Sequence, residues 1–135
     1  MKKWTEEELL KAGYKIENAI IETADLSMAD HGCLTLRMVI KGSCWGSVYG
    51  GYVLGHGYVG AAVDYFDGSG DGMESIIRIM DIVGVNSFQD LENKYIRVCS
   101  KGRLGDTIKI IGNIIKDKWF DYESFYKDKE SEDKQ

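Results

Sequence analysis

A chain of 135 residues, 44% hydrophobic and 29% charged, carries enough apolar content for one globular domain with a modest core and too little length for two. A formal charge of −5 and a pI near 5.0, with Arg37, Arg78, Arg97 and Arg103 scattered along the chain, exclude the clustered basic face of a duplex-DNA binder and suit a basic protein partner. No 18-residue apolar run and no leader pattern is present, so neither a membrane span nor a secretory signal is expected, and the chain is placed in the cytoplasm. Cys33, Cys44 and Cys99 are odd in number and dispersed, which predicts buried free thiols rather than a disulfide framework.

In chain order, Thr5 and Glu8 have the spacing of a capping box and predict a short helix over Glu6 to Ala12, closed by Gly13. Lys15 to Ala24 alternates as a strand. Cys33 to Ile40 is a stronger one, and the turn formers between Ser27 and Gly32 make the two a hairpin. Ser47 to Leu54 reads as a third strand. Asp71 with Glu74 three residues on predicts an N-cap, and Met73, Ile76, Ile77, Met80 and Val83 predict one apolar helical face running to Gly84, the C-terminal stop. Lys94 to Cys99 and Thr107 to Ile115 follow as strands, with Gly112 a bulge or a point of close approach. Trp119 to Phe125 is expected to cover a sheet edge as a helix or turn. From Lys127 the residues are charged and mixed in sign, predicting a disordered tail over 127–135 behind a single domain of 1–126. The fold class is therefore α+β: a mainly antiparallel, curled sheet of about five strands with one central amphipathic helix and short terminal helices.

The centre of the chain carries the functional signal. Ten glycines between Gly42 and Gly72 are interleaved with Trp45, Tyr49, Tyr52, Tyr58, Tyr65 and Phe66. Glycine permits positive φ and close backbone approach, and aromatic rings add flat contact surface. This composition places the binding surface at Tyr49, Gly50, Gly51, Tyr52, Gly55, His56, Gly57 and Tyr58, with Arg97 supplying positive charge.

Gly55-His56-Gly57-Tyr58-Val59-Gly60 is a literal G-x-G-x-x-G, yet the stretch to Asp67-Gly68-Ser69-Gly70 is too short for the helix a dinucleotide site needs. A loop or wide turn whose amides cradle an anion is the reading that remains. His31 and His56 with Cys33 and Cys44 lack the paired local spacing of a zinc site, so no metal or other cofactor is expected. Asp30-His31 reads as a surface turn, and Asp64, Asp67 and Asp71 lack the ligand order of a Ca²⁺ loop. No nucleophile, base or metal set emerges, so the chain is not read as an enzyme.

Ile16-Glu17-Asn18-Ala19, Leu26 to Gly32, Gly50 to Gly55, Gly72-Met73-Glu74, Arg78 to Asp81, Lys94 to Val98 and Lys118 to Asp121 resemble blocks of a small protein family encoded by bacterial phages and prophages. That resemblance implies a bacterial host cell and no defined activity. The strand-and-helix order is also similar in outline to phage single-strand-binding proteins. The leading expectation is a non-catalytic accessory protein whose glycine-aromatic segment binds a small anionic ligand or nucleotide, in the manner of an antagonist that sequesters a host defence signal. The alternatives are an acidic protein inhibitor of a host enzyme and a curled, OB-like sheet binding single-stranded nucleic acid. Homo-oligomerisation fits all three.

Overall fold

The structure, a computed structural model, describes residues 1–60, 62–102 and 106–133, leaving aside the side chains of Ala29, Asp30 and Asp133. Arg103 and the last two residues of the expected tail lie outside the described residues. The described residues form α1 (Glu6–Lys11), β1 (Lys15–Asp30), β2 (Cys33–Lys41), β3 (Gly46–Val59), β4 (Asp64–Gly68), α2 (Gly70–Val83), a 3₁₀ turn (Phe88–Leu91), β5 (Tyr95–Ser100), β6 (Ile110–Gly112), β7 (Trp119–Asp121) and α3 (Tyr122–Asp133). All seven strands join one antiparallel sheet in the order β4-β3-β2-β1-β5-β6-β7. The class is α+β, with seven strands rather than about five.

β1 is the spine. Its first half, Lys15 to Ile20, pairs with β5, and its second half, from Ile20 onward, pairs with β2 across a register shift between Ile21 and Thr23. An irregularity there bends the strand and lets one strand serve two sides of a curled sheet. The curl is deep. α2 packs against β3 near one edge and against β6 and β7 at the other, and Tyr49 of β3 lies 4.8 Å from Tyr122, at the start of α3, ring centre to ring centre.

The concave side holds the main core, where Ile21, Met38, Ile40, Tyr49, Ile96, Ile111, Phe120 and Phe125 are buried beneath α2 and α3. Alternation along β5, β6 and β7 sends Cys99, Ile110 and Trp119 to the other face, where they pack with Leu9 of α1, Trp4 and Tyr14. Of the three thiols only Cys99 is buried; Cys33 is half-buried and Cys44 exposed, because the turn after β2 leaves Cys44 outside both clusters.

The helices show what sequence periodicity missed. α1 has the expected capping box, and Gly84 ends α2 at φ 89° with its N–H donating to the Met80 carbonyl. The N-cap of α2 is Ser69, whose hydroxyl accepts from the Gly72 N–H at 3.0 Å, and not Asp71. Its packed face is Gly72, Ser75, Ile76, Ile79 and Ile82, while Met73 and Ile77 are exposed. Gly72 decides the rotation, since a Cβ there would press on Leu54 at 2.9 Å. The expected disordered tail is helical through Asp133. Lys129, bonded to Glu74 at 3.1 Å, and the ion pair of the Met1 ammonium with Asp128 hold it down. Only Ile110–Gly112 of the long strand expected over Thr107 to Ile115 is a strand; Gly112 does make the close approach expected of it, against the Trp119 indole.

Candidate functional site

The segment read as an anion-cradling loop is a strand. β3 runs unbroken from Gly46 to Val59 and turns through Gly60, whose N–H donates to the Val63 carbonyl, into β4. Its glycines serve packing and curvature. Gly50 and Gly51 sit at φ 111° and 90°, where β3 slips register against β2, and a Cβ on Gly50 would meet the Leu36 carbonyl at 2.5 Å. A Cβ on Gly55 would meet the Asp67 carbonyl of β4 at 2.6 Å.

The expected site residues fall in three places. Tyr49, Gly50 and Tyr52 line a small cavity under α3 together with Ser75, Tyr122 and Tyr126. Tyr52 stacks on Tyr126 with 4.0 Å between ring centres. The cavity, about 10 Å³, has room for one water and no ligand. Burial raises the Tyr49 phenol well above its ordinary pKa and that of Tyr52 to about 12. The Tyr49 hydroxyl has no hydrogen-bond partner among the described residues.

Gly55, His56, Gly57 and Tyr58 form the second group, on the β3–β4 hairpin. Cross-strand pairing sets His56 opposite Asp67, Tyr58 opposite Tyr65 and Gly57 opposite Phe66, and alternation puts the first two pairs on one face. There Tyr58 and Tyr65 stack at 5.3 Å. His56 Nδ1 lies 2.8 Å from Asp67 Oδ1, and the Tyr65 hydroxyl donates to Asp67 Oδ2 at 3.0 Å. The His56 contact, foremost, holds the Asp67 carboxyl below its usual pKa, and the bond to Asp67 raises the Tyr65 phenol. On the opposite face Phe66 and Met28 flank the bare Gly57 backbone and border an open groove of about 560 Å³ that continues past Leu34 to Gly68 and Met73. Val59, Val63 and Phe66 are 70% or more exposed.

Arg97 belongs to neither group. From β5 its Nε donates to the Asn113 carbonyl and an Nη to the Lys116 carbonyl, both at 2.8 Å. Its guanidinium also lies 4.6 Å from the Trp119 ring centre and pairs with Glu6. These contacts pin the loop between β6 and β7, so the one cation assigned to the site is committed elsewhere. Between Lys41 and Arg78 the chain has no Lys or Arg; β3, β4 and their turn carry only Asp64, Asp67 and His56 as ionisable groups besides tyrosine.

Sequence reading did not assign Val59, Val63, Tyr65, Phe66 and Asp67 to the site. The signal was present: Tyr58-Val59 and Tyr65-Phe66 flank a short turn rich in small residues, the pattern of a hairpin. Among the described residues no group of three His, Cys, Asp or Glu side chains is placed to hold a metal, and no helix is long and apolar enough to cross a membrane. Neither a protein-family model, nor a curated protein, nor a solved structure matches the chain.

Proposed function

We propose that this chain is a non-catalytic protein-binding domain that docks the aromatic face of its β3–β4 hairpin on a basic surface of a host protein, in the sense of the acidic-inhibitor reading. The observation that carries it is the exposed Tyr58–Tyr65 stack on one face of the hairpin, with Val63 exposed at its turn and Val59 and Phe66 exposed on the opposite face. Contiguous exposed apolar surface ringed by polar groups marks interaction sites, and tyrosine is enriched in the energetically dominant part of interfaces. Asp64 and Asp67, without a basic residue between Lys41 and Arg78, favour a positive partner.

The same charge distribution weighs against a small anionic ligand on this segment, which would meet no cation from it. Single-strand binding keeps one supporting observation. A bent first strand shared between β2 and a later strand, with a helix between, is the chain path of an OB-type barrel, an analogy of topology alone.

A photoreactive benzoyl-phenylalanine at position 58, with position 95 of β5 as control, tests the proposal in host cells. The expected result is one defined adduct with a different protein from position 58 and none from position 95. Equal adducts from both positions, or only oligonucleotide adducts, would overturn it.

A further inference from the structure

The sheet has two edges and they are treated differently. The β7 edge lies under the N-terminal segment: Trp4 Nε1 donates to Asp121 at 3.0 Å, the Glu6 N–H to Asp117 at 2.8 Å and the Lys2 N–H to Ser124 Oγ at 2.8 Å. All five residues of β4, at the other edge, are exposed. Proteins usually blunt such an edge with proline, charged side chains, lysine above all, a short strand or a bulge; the charges of β4 are Asp64 and Asp67, and Asp67 is held by His56 and Tyr65. The chain contains no proline, β4 contains no lysine, and its pairing with β3 is regular from Asp64 to Gly68.

The backbone of that edge has a definite polarity. The Gly60 N–H donates to Val63 and the Ser69 N–H to Leu54, whereas the Gly57 N–H turns away from β4 to the Gly32 carbonyl. Antiparallel ladders alternate, so Tyr65 and Asp67 spend their backbone groups on β3, and Asp64, Phe66 and Gly68 direct theirs outward.

We infer that β4 pairs with β4 of a second copy of this chain, antiparallel about a two-fold axis through Phe66, joining two sheets into one. In this register Phe66 faces Phe66, each outward-facing Asp64 meets the partner's outward-facing Gly68, and each Tyr65 lies opposite the partner's Asp67. All five residues are paired and no like charges oppose. A slip by two residues one way sets Asp67 against Asp67, which is repulsive; the other way leaves only Asp64, Tyr65 and Phe66 overlapping. Pairing covers both Phe66 rings and brings the two Tyr58–Tyr65 stacks onto one continuous face. The inference is independent of what that face docks, because its readout is the mass of the purified chain alone.

The test has two parts. Size-exclusion chromatography with light scattering should give twice the 15.2 kDa chain mass for the native protein and the single mass for Phe66→Lys. That variant places like charges across the axis at a 70% exposed position, and unchanged circular dichroism would confirm that it folds. With the accessible thiols removed by Cys33→Ser and Cys44→Ser, Phe66→Cys should form a disulfide-linked pair under mild oxidation and Tyr65→Cys should not, since only thiols on the axis meet the distance limits of a disulfide. A native monomer at all concentrations, a Phe66→Lys dimer, or linkage through position 65 instead of 66 would overturn the inference.

Discussion

Replacing Arg97 with alanine separates an anchor from a ligand-binding cation. The side chain is 12% exposed and makes two charge-assisted bonds to loop carbonyls at 2.8 Å, a contact with the Trp119 ring face and a bond to the more exposed Glu6. Hydrogen bonds to a charged group contribute ~1.5–3 kcal/mol when well made, and a cation–π contact adds ~0.5–2 kcal/mol. The carbonyls border solvent, so water recovers part of this loss, and a destabilisation of about 3 kcal/mol is expected. For a domain of this size that lowers Tm by roughly 9–15 °C. Arg97→Lys keeps the charge but not the fork and should lose about half as much. Urea unfolding by tryptophan fluorescence reads both variants, with an unchanged m-value showing that stability alone has moved. An Arg97→Ala variant within 0.5 kcal/mol of the native chain (on the order of ordinary surface substitutions) would refute the anchoring role and return Arg97 to the list of ligand-binding candidates.

Gly50→Ala should cost ~2–4 kcal/mol because it adds a steric conflict with Leu36 to an unfavourable φ, whereas Gly51→Ala, with open space around its Cβ position, should cost only the ~1–2 kcal/mol of left-handed backbone; equal losses in denaturant titration would contradict this. Burial pushes the Cys99 thiol from 9.0 up to about 12. From pH 9 toward 12 the unfolded chain therefore releases that proton while the folded chain keeps it, so stability falls as pH rises. Cys99→Ala should make the fall shallower by one proton, and an unaltered slope would mean the thiol ionises freely in the native state. Ending the chain at Tyr126 should reduce the far-ultraviolet helical signal, since α3 continues to Asp133; an unchanged spectrum would restore the disordered tail. Lys129 and its partner Glu74 are 25% and 34% exposed, a partly solvated pair, so Lys129→Ala alone should shift stability only slightly in denaturant titration, and less in high salt.

How legible the fold was depended on whether a signal was local. The capping box at Thr5 and Glu8 and the stop at Gly84 lie within one turn of what they specify, and both are present. The rotation of α2 was not legible, because Ile76, Ile77, Ile79, Met80, Ile82 and Val83 make it apolar on more than one side; the choice falls to Gly72 against Leu54, a contact between distant segments. β4 was hidden because Asp67-Gly68-Ser69-Gly70 has turn composition while its first half lies in a strand. Of the candidate site, the glycine-aromatic segment was found, but its glycines were assigned to a ligand when Gly50 and Gly55 make room for neighbouring strands. Arg97 was placed by its charge, and no local pattern announces that its partners are the carbonyls of Asn113 and Lys116.

The shared use of β1 also has a kinetic side. Its second half meets β2 through a tight turn at His31-Gly32, and β2, β3 and β4 follow as successive hairpins. Its first half must wait for β5, since Lys15 pairs with Ser100. Contacts joined by short loops form early, and those that close long loops form late. The four-stranded meander, carrying the exposed hairpin, is thus expected to assemble before the returning strand closes the domain. Mutations along β2–β3 should slow refolding, and those at the β1–β5 seam should chiefly speed unfolding.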